Sequence, residues 1–452
     1  MVAVMLGVVL VLVSGALTWA EYRRTGELVT PWSLFLALAV YDVLAPACVM
    51  LAFGLGVQPD YIDPALNLVL PRAMGLFAVG AALFGITYYL VDSLPSFTPD
   101  IRRDYAADPP IREAVAVALY VLMFALQVAA FRGAVAEAGS LVEWGRIALT
   151  TRFKSDELTE LSFVARLSSK VGMPILLAMT GVLFQLRGRR RLLFGVVLPL
   201  LTFALAVLTL LRGNVLNLMI GLAILANVPA QPPSAISLVA SRVRRRAVGN
   251  RLLVAAVGIF LMLSVVRNVL TDWAWGVEGE SSSLSAELIR LFRGDTLVGI
   301  ASIMRTYGEE LAFMGGKTIT DMLLLPVPRA IYTSKPAWYG IDDITRAMGW
   351  PTSTQSAVGM PGELFANFGY AGIVGMIVYG ASFALFRRLR RSAPGAVMYG
   401  FVLLPAMFAT FWMGFTGFVS QLSTIPVLLV VFLLVYRADT GRRAGELSAR
   451  TD

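Results

Sequence analysis

Apolar residues come in blocks of about 20 from one end of the chain to the other, matching the length a helix needs to cross a hydrocarbon core. The blocks predict spans near 2–20, 33–57, 70–91, 113–131, 171–186, 192–211, 213–228, 251–270, 370–386, 396–413 and 417–436. Glu21-Tyr-Arg-Arg follows the first block with no small-residue cleavage site, so that block reads as a span rather than a removed signal peptide. The block over 192–228 reads as two spans meeting at Leu211-Arg-Gly-Asn214. Two long polar interruptions remain. In 132–170, Leu158, Leu161, Val164 and Leu167 recur at helical spacing, which predicts an amphipathic helix on the membrane surface. The other, 267–369, lacks a run long enough to cross. The pattern predicts an all-α polytopic membrane protein with about eleven helices: an N-terminal bundle (1–266), a large loop (267–369), C-terminal helices (370–437) and a polar tail (438–452).

Composition sharpens this picture. The 452 residues are 57% hydrophobic and only 15% charged, against roughly 25% in soluble domains. Mean hydropathy is +0.73. The net charge of +9 would suggest nucleic acid in a soluble protein. Here the arginines crowd into alternate short loops: Arg23-Arg24, Arg102-Arg103, Arg187 to Arg191, Arg242 to Arg251, Arg387 to Arg391 and the tail. Cytoplasmic loops favour Lys and Arg, so the N-terminus is expected outside and the C-terminus inside, with no nucleic-acid partner. The chain has no histidine and one cysteine, Cys48. That excludes a histidine base, a His-ligated zinc, a Ser-His-Asp triad and a disulfide framework.

Candidate chemistry gathers in the 267–369 loop and at one interspan turn. Arg212-Gly213 sits at the turn between two spans, either as a snorkelling arginine or as a forked donor to a phosphate. Arg267 allows the same two readings. Arg290 and Arg293 share a helical face, as a solvated pair or as anion ligands. In Pro326-Val-Pro-Arg329 and Ser334-Lys335-Pro336 the prolines stiffen the backbone beside each cation, which lowers the entropy lost on clamping a ligand. Trp338 and Tyr339 follow, as sugar-stacking rings or as interfacial aromatics. Pro361-Gly-Glu363 puts a carboxylate at the mouth of the next span, either a proton acceptor for an attacking hydroxyl or a helix-terminal acid facing the dipole. Asp342-Asp343, and Asp60 with Asp63, are acidic pairs too sparse to define a metal site. Asp42 is the clear buried acid within a span, and nothing resembles a nucleotide-binding motif.

With these residues in place, the chain resembles the O-antigen and oligosaccharide repeat-unit polymerases, the Wzy-type family related to O-antigen ligases. The resemblance rests on the layout, on Arg212-Gly213 heading a span, and on Pro328-Arg329, Lys335-Pro336, Gly362-Glu363, Asn367-Phe-Gly369 and Gly372. It implies a GT-C-type glycosyltransferase of the bacterial inner membrane that needs no cofactor or metal. The donor would be a glycan on undecaprenyl diphosphate and the acceptor the non-reducing end of another lipid-linked repeat unit, with a chain-length regulator as a further partner. Carried over by position, Arg212, Arg329 and Lys335 would steady the leaving diphosphate, with Arg267, Arg290 and Arg293 in support. The related ligases carry a histidine in the large loop. This chain has none, which leaves Glu363, Asp342 or Asp343 as the base. The competing expectations are a GT-C enzyme using a polyprenyl-monophosphate sugar, with Asp60 and Asp63 in its first outward loop, an O-antigen ligase, and a lipid-linked glycan flippase. No internal repeat supports the flippase.

Overall fold

A computed structural model describes, apart from a few single positions, residues 2–46, 66–94, 111–150, 172–186, 190–208, 212–227, 295–324, 340–348, 358–389, 392–436 and short helical pieces within 249–270. In chain order the helices are α1 (Val2–Thr25), α2 (Pro31–Leu44), α3 (Leu70–Ser93), α4 (Glu113–Glu137), α5 (Leu141–Thr150), α6 (Met173–Gln185), α7 (Leu193–Leu208) and α8 (Arg212–Asn227). After them come α9 (Asp295–Thr306), α10 (Lys317–Leu324), α11 (Ile341–Ala347), α12 (Gly359–Phe368), α13 (Met376–Leu389), α14 (Ala393–Met398), α15 (Leu404–Leu422) and α16 (Ile425–Val435). Among the described residues the only β-type pairing is two isolated bridges, so the protein is all-α. Among the described residues, four stretches are long and apolar enough to cross a membrane: Leu70–Ser93, Glu113–Glu137, Gly359–Leu389 and Pro394–Val419.

Local sequence explains the helix starts. Thr30 caps α2: its hydroxyl accepts from the Ser33 amide at 3.1 Å, and the Ser33 hydroxyl accepts from the Thr30 amide at 2.9 Å. Pro31 then occupies the first turn, where its missing N–H costs nothing. Ser392 caps α14 in the same way, its hydroxyl accepting from the Gly395 amide at 3.1 Å.

Small residues let the helices approach closely, as they must where lipid gives helices no hydrophobic reason to associate. Gly380 of α13 lies on α3, and a Cβ there would stand 2.4 Å from the Phe84 carbonyl oxygen. Phe401, on a π-helical turn (Tyr399–Leu403) leading into α15, is wedged between Gly181 of α6 and Gly221 of α8. Hydroxyls add polar links within the core. Thr202 of α7 bonds Tyr120 of α4 at 3.1 Å and Thr180 of α6 at 2.9 Å.

The long interruption of the sequence pattern is only partly a surface feature. Its helices α9 and α12 are buried against the candidate spans, and α12 itself begins the long stretch that continues into α13. In α9, Leu297, Ile300, Ala301 and Ile303 are fully buried, and in α12 every residue from Gly359 to Asn367 is buried. Gly369, at φ +62°, ends α12, and a short 3-10 segment (Gly369–Gly375) leads into α13. The gap expected at 414–416 is a bend inside α15, where Gly414 alone leaves helical geometry, and the chain turns later at Thr424. The amphipathic helix expected at Leu158 to Leu167 lies outside the described residues; before it, α4 runs on to Glu137 and α5 follows at Leu141–Thr150.

Candidate functional site

Two buried carboxylates flank the bend of α15. Glu363 of α12 is 1% exposed and Asp42 of α2 is 7% exposed. Glu363 Oε1 accepts from the Thr318 hydroxyl of α10 at 2.8 Å. Its Oε2 accepts from the Phe415 amide, the first free N–H after the bend. This arrangement requires glycine at 414. The residue sits at φ +56°, and an added Cβ would stand 1.9 Å from Glu363 Oε2. A carboxylate from another helix thus caps the second half of α15, replacing the water that a broken helix would otherwise need.

Asn367, one turn after Glu363, ties the group together. Its side-chain amide donates to the Thr318 hydroxyl at 2.7 Å and to the Glu363 backbone carbonyl at 2.8 Å. The Met314 and Gly315 amides donate to the Ala366 and Asn367 carbonyls at 3.0 and 2.9 Å, satisfying the end of α12. On the other side of the bend, Asp42 Oδ2 accepts from the Trp412 indole at 3.0 Å and from the Thr296 hydroxyl at the start of α9. Asp42 lies in a π-helical turn, Val40–Leu44, a distortion often found at functional sites.

Beside this core, Lys317 stands next to Thr318 with its ammonium between two carboxylates. It hydrogen-bonds Asp343 and lies 3.1 Å from Asp321, an ion pair that misses hydrogen-bond alignment. Burial alone would lower the Lys317 pKa, but the two carboxylates outweigh it and hold the pKa above its ordinary value. Burial also pushes the nearby Tyr307 phenol up to about 12, with the Asp343 charge adding to the effect. Gly340, just before α11, abuts Thr416: an added Cβ would stand 1.9 Å from the Thr416 hydroxyl.

Of the residues expected from sequence, Glu363 and Asn367 are brought together with Thr318, and Asp42 is buried as expected. Asp343 is engaged by Lys317, and the described residues hold no group of three or more metal-ligating side chains. Arg212 begins α8, and its side chain lies outside the described residues. Arg267, Arg290, Arg293, Arg329, Lys335, Trp338, Tyr339, Asp60 and Asp63 also lie outside them. Sequence reasoning did not single out Thr318, Thr296 or Trp412. Each is an ordinary residue locally, and its partner is 45 or more positions away.

Described residues on either side of the cationic stretch 325–339 lie near the Glu363 site. Before it, α10 carries Thr318, which bonds Glu363, and after it Gly340 packs against Thr416 and Met322. Compared with family models, curated proteins and solved structures, the chain matches none.

Proposed function

We propose that the chain is a GT-C-type glycosyltransferase that polymerises oligosaccharide repeat units carried on a polyprenyl diphosphate, at the outer face of a bacterial cytoplasmic membrane. One observation carries this reading. Glu363 and Asn367 share one buried hydrogen-bonded site with Thr318 of α10, the helix that precedes the Arg329–Lys335 stretch, and Gly340, which follows that stretch, packs against Thr416. A polar site assembled from separated segments is what a transferase loop needs to face a single reacting centre.

In the proposed reaction the acceptor hydroxyl oxygen bonds to the anomeric carbon of the donor glycan. The bond from that carbon to the diphosphate oxygen breaks, and the lipid diphosphate leaves with the electron pair. Arg212, Arg329 and Lys335 stabilise its growing negative charge, which they do most strongly in a water-poor site. Arg267, Arg290 and Arg293 extend the diphosphate site, and Trp338 and Tyr339 stack on sugar rings. A base must lie within hydrogen-bond reach of the proton it takes. Glu363 is sealed from solvent with both oxygens engaged, so its role is to position the site, and the hydroxyl proton passes to Asp343, which is partly exposed.

Purified variants test the reading. Arg212→Ala and Arg329→Ala are expected to abolish product formation from lipid-diphosphate-linked repeat units while membrane insertion persists. Wild-type turnover in either variant removes that arginine from the site.

A further inference from the structure

Aromatic residues gather at one end of each of two separate helices, a bilayer's depth from a charged end. On α13 the outward stripe includes Tyr370 (61% exposed, in the preceding 3-10 turn), Val374 and Val378. Phe368 and Phe313 are exposed beside Tyr370, and Phe365 links Phe313 and Tyr370 through edge-on contacts at 5.7 and 5.1 Å. Charged residues lie beyond them, with Glu309 and Glu310 exposed. At the far end of α13, Arg387 pairs with Asp92 at 2.7 Å. The rises of the two helix types put Tyr370 about 29 Å from Arg387.

A second measure comes from α4. Its first residue, Glu113, pairs with Arg190 at 3.1 Å. At its other end Phe131 meets Trp144 of α5 edge-on at 5.0 Å. The 18 residues from Glu113 to Phe131 rise about 27 Å. On α5, Leu141 and Val142 are exposed next to Trp144. Both distances match a hydrocarbon core of about 30 Å, and aromatic residues favour its two edges.

We infer that one edge of the bilayer runs through Phe313, Phe368 and Tyr370 and through Phe131 and Trp144, so that lipid headgroups cover both aromatic groups and α5 lies in their plane. The occupant is lipid because the apolar stripe of α13 continues unbroken below Tyr370 while charge begins directly beyond Phe313. Lys317 and Asp343 then lie at headgroup depth, with Glu363 beneath them. The inference needs only a membrane protein and holds whether or not the chain is a glycosyltransferase.

Spin labels test it in phosphatidylcholine–phosphatidylglycerol vesicles. Starting from a Cys48→Ala protein, single cysteines are placed at Glu310, Tyr370, Val374, Val378 and Val142, and depth is read from the ratio of oxygen to nickel-chelate accessibility. Phe368→Cys is the second reporter should Tyr370→Cys fold poorly. Labels at 370 (or 368) and 142 should share one shallow depth. The label at 374 should lie deeper by about 6–8 Å, the one at 378 by a further 6 Å or so, and the one at 310 in water. A label at 370 or 368 that is as wet as 310 or as deep as 378 overturns the inference, and so does a depth at 142 that differs from it by more than about one helical turn.

Discussion

Two groups of buried charge sit at opposite ends of α13 and are built differently. At its C-terminal end, Arg387 and Arg24 face Glu21, Glu27 and Asp92. Arg387 lies 2.7 Å from Asp92 and 3.8 Å from both Glu21 and Glu27, and Arg24 bonds Glu21 at 2.9 Å and Asp92 at 2.8 Å. Arg388 adds bonds to the Val91 and Leu94 carbonyls, tying down the end of α3. Near its N-terminal end, Glu363 and Asp42 accept from neutral donors: the Thr318 and Thr296 hydroxyls, the Trp412 indole and the Phe415 and Thr416 amides. Charge matched by charge fixes three helices to one another. Buried carboxylates are costly to keep, and within membranes such groups mark working sites. The first group therefore holds the fold, and the second shapes the site.

Substitutions should separate the two. The largest stability loss is expected from Arg387→Ala, about 3–5 kcal/mol, because three carboxylates lose a buried partner. Thermal melting in detergent checks this, and turnover per folded molecule should stay near wild type. Glu363→Gln comes next. An amide cannot accept from both Thr318 and Phe415 without turning its NH2 toward a donor, so roughly 2–3 kcal/mol and nearly all turnover should be lost together. Full stability combined with loss of one limb of the pH–rate profile would instead make Glu363 the base. Thr318→Val, which keeps the shape but removes the relay hydroxyl, should cost about 1–3 kcal/mol, and Thr318→Ser should restore it. Lys317→Met is expected to be the mildest, below about 1 kcal/mol, since its side chain is 47% exposed. The raised Lys317 pKa sets the sign: its contribution is present below about pH 10.5 and disappears as pH rises through the folded-state value, which melting curves on the alkaline side would show.

Much of the fold was legible as apolar blocks. The expected 70–91 and 113–131 lie within α3 and α4, and the basic loops holding Arg24 and Arg387–Arg388 do meet at one end of the bundle. The buried helices α9 and α12 were not legible as core. Their apolar runs, such as Leu297 to Met304, are too short to read as spans, and only packing against α3 and α15 reveals where they lie. Glu363 was visible because Pro361-Gly-Glu363 interrupts polar chemistry at a helix mouth. Its partners were not, because Thr318 and Phe415 come from helices 45 and 52 residues away. Gly414 read as a gap between spans for a sound reason: its backbone does leave the helix, but Glu363 caps the break and the helix resumes.

The proposed chemistry is tested most directly by incubating the purified protein with a lipid-diphosphate-linked repeat unit in excess chelator and resolving products by length. The account predicts a ladder of glycans spaced by one repeat unit. Product that forms only after divalent metal is restored, or a single addition that goes no further, would contradict it.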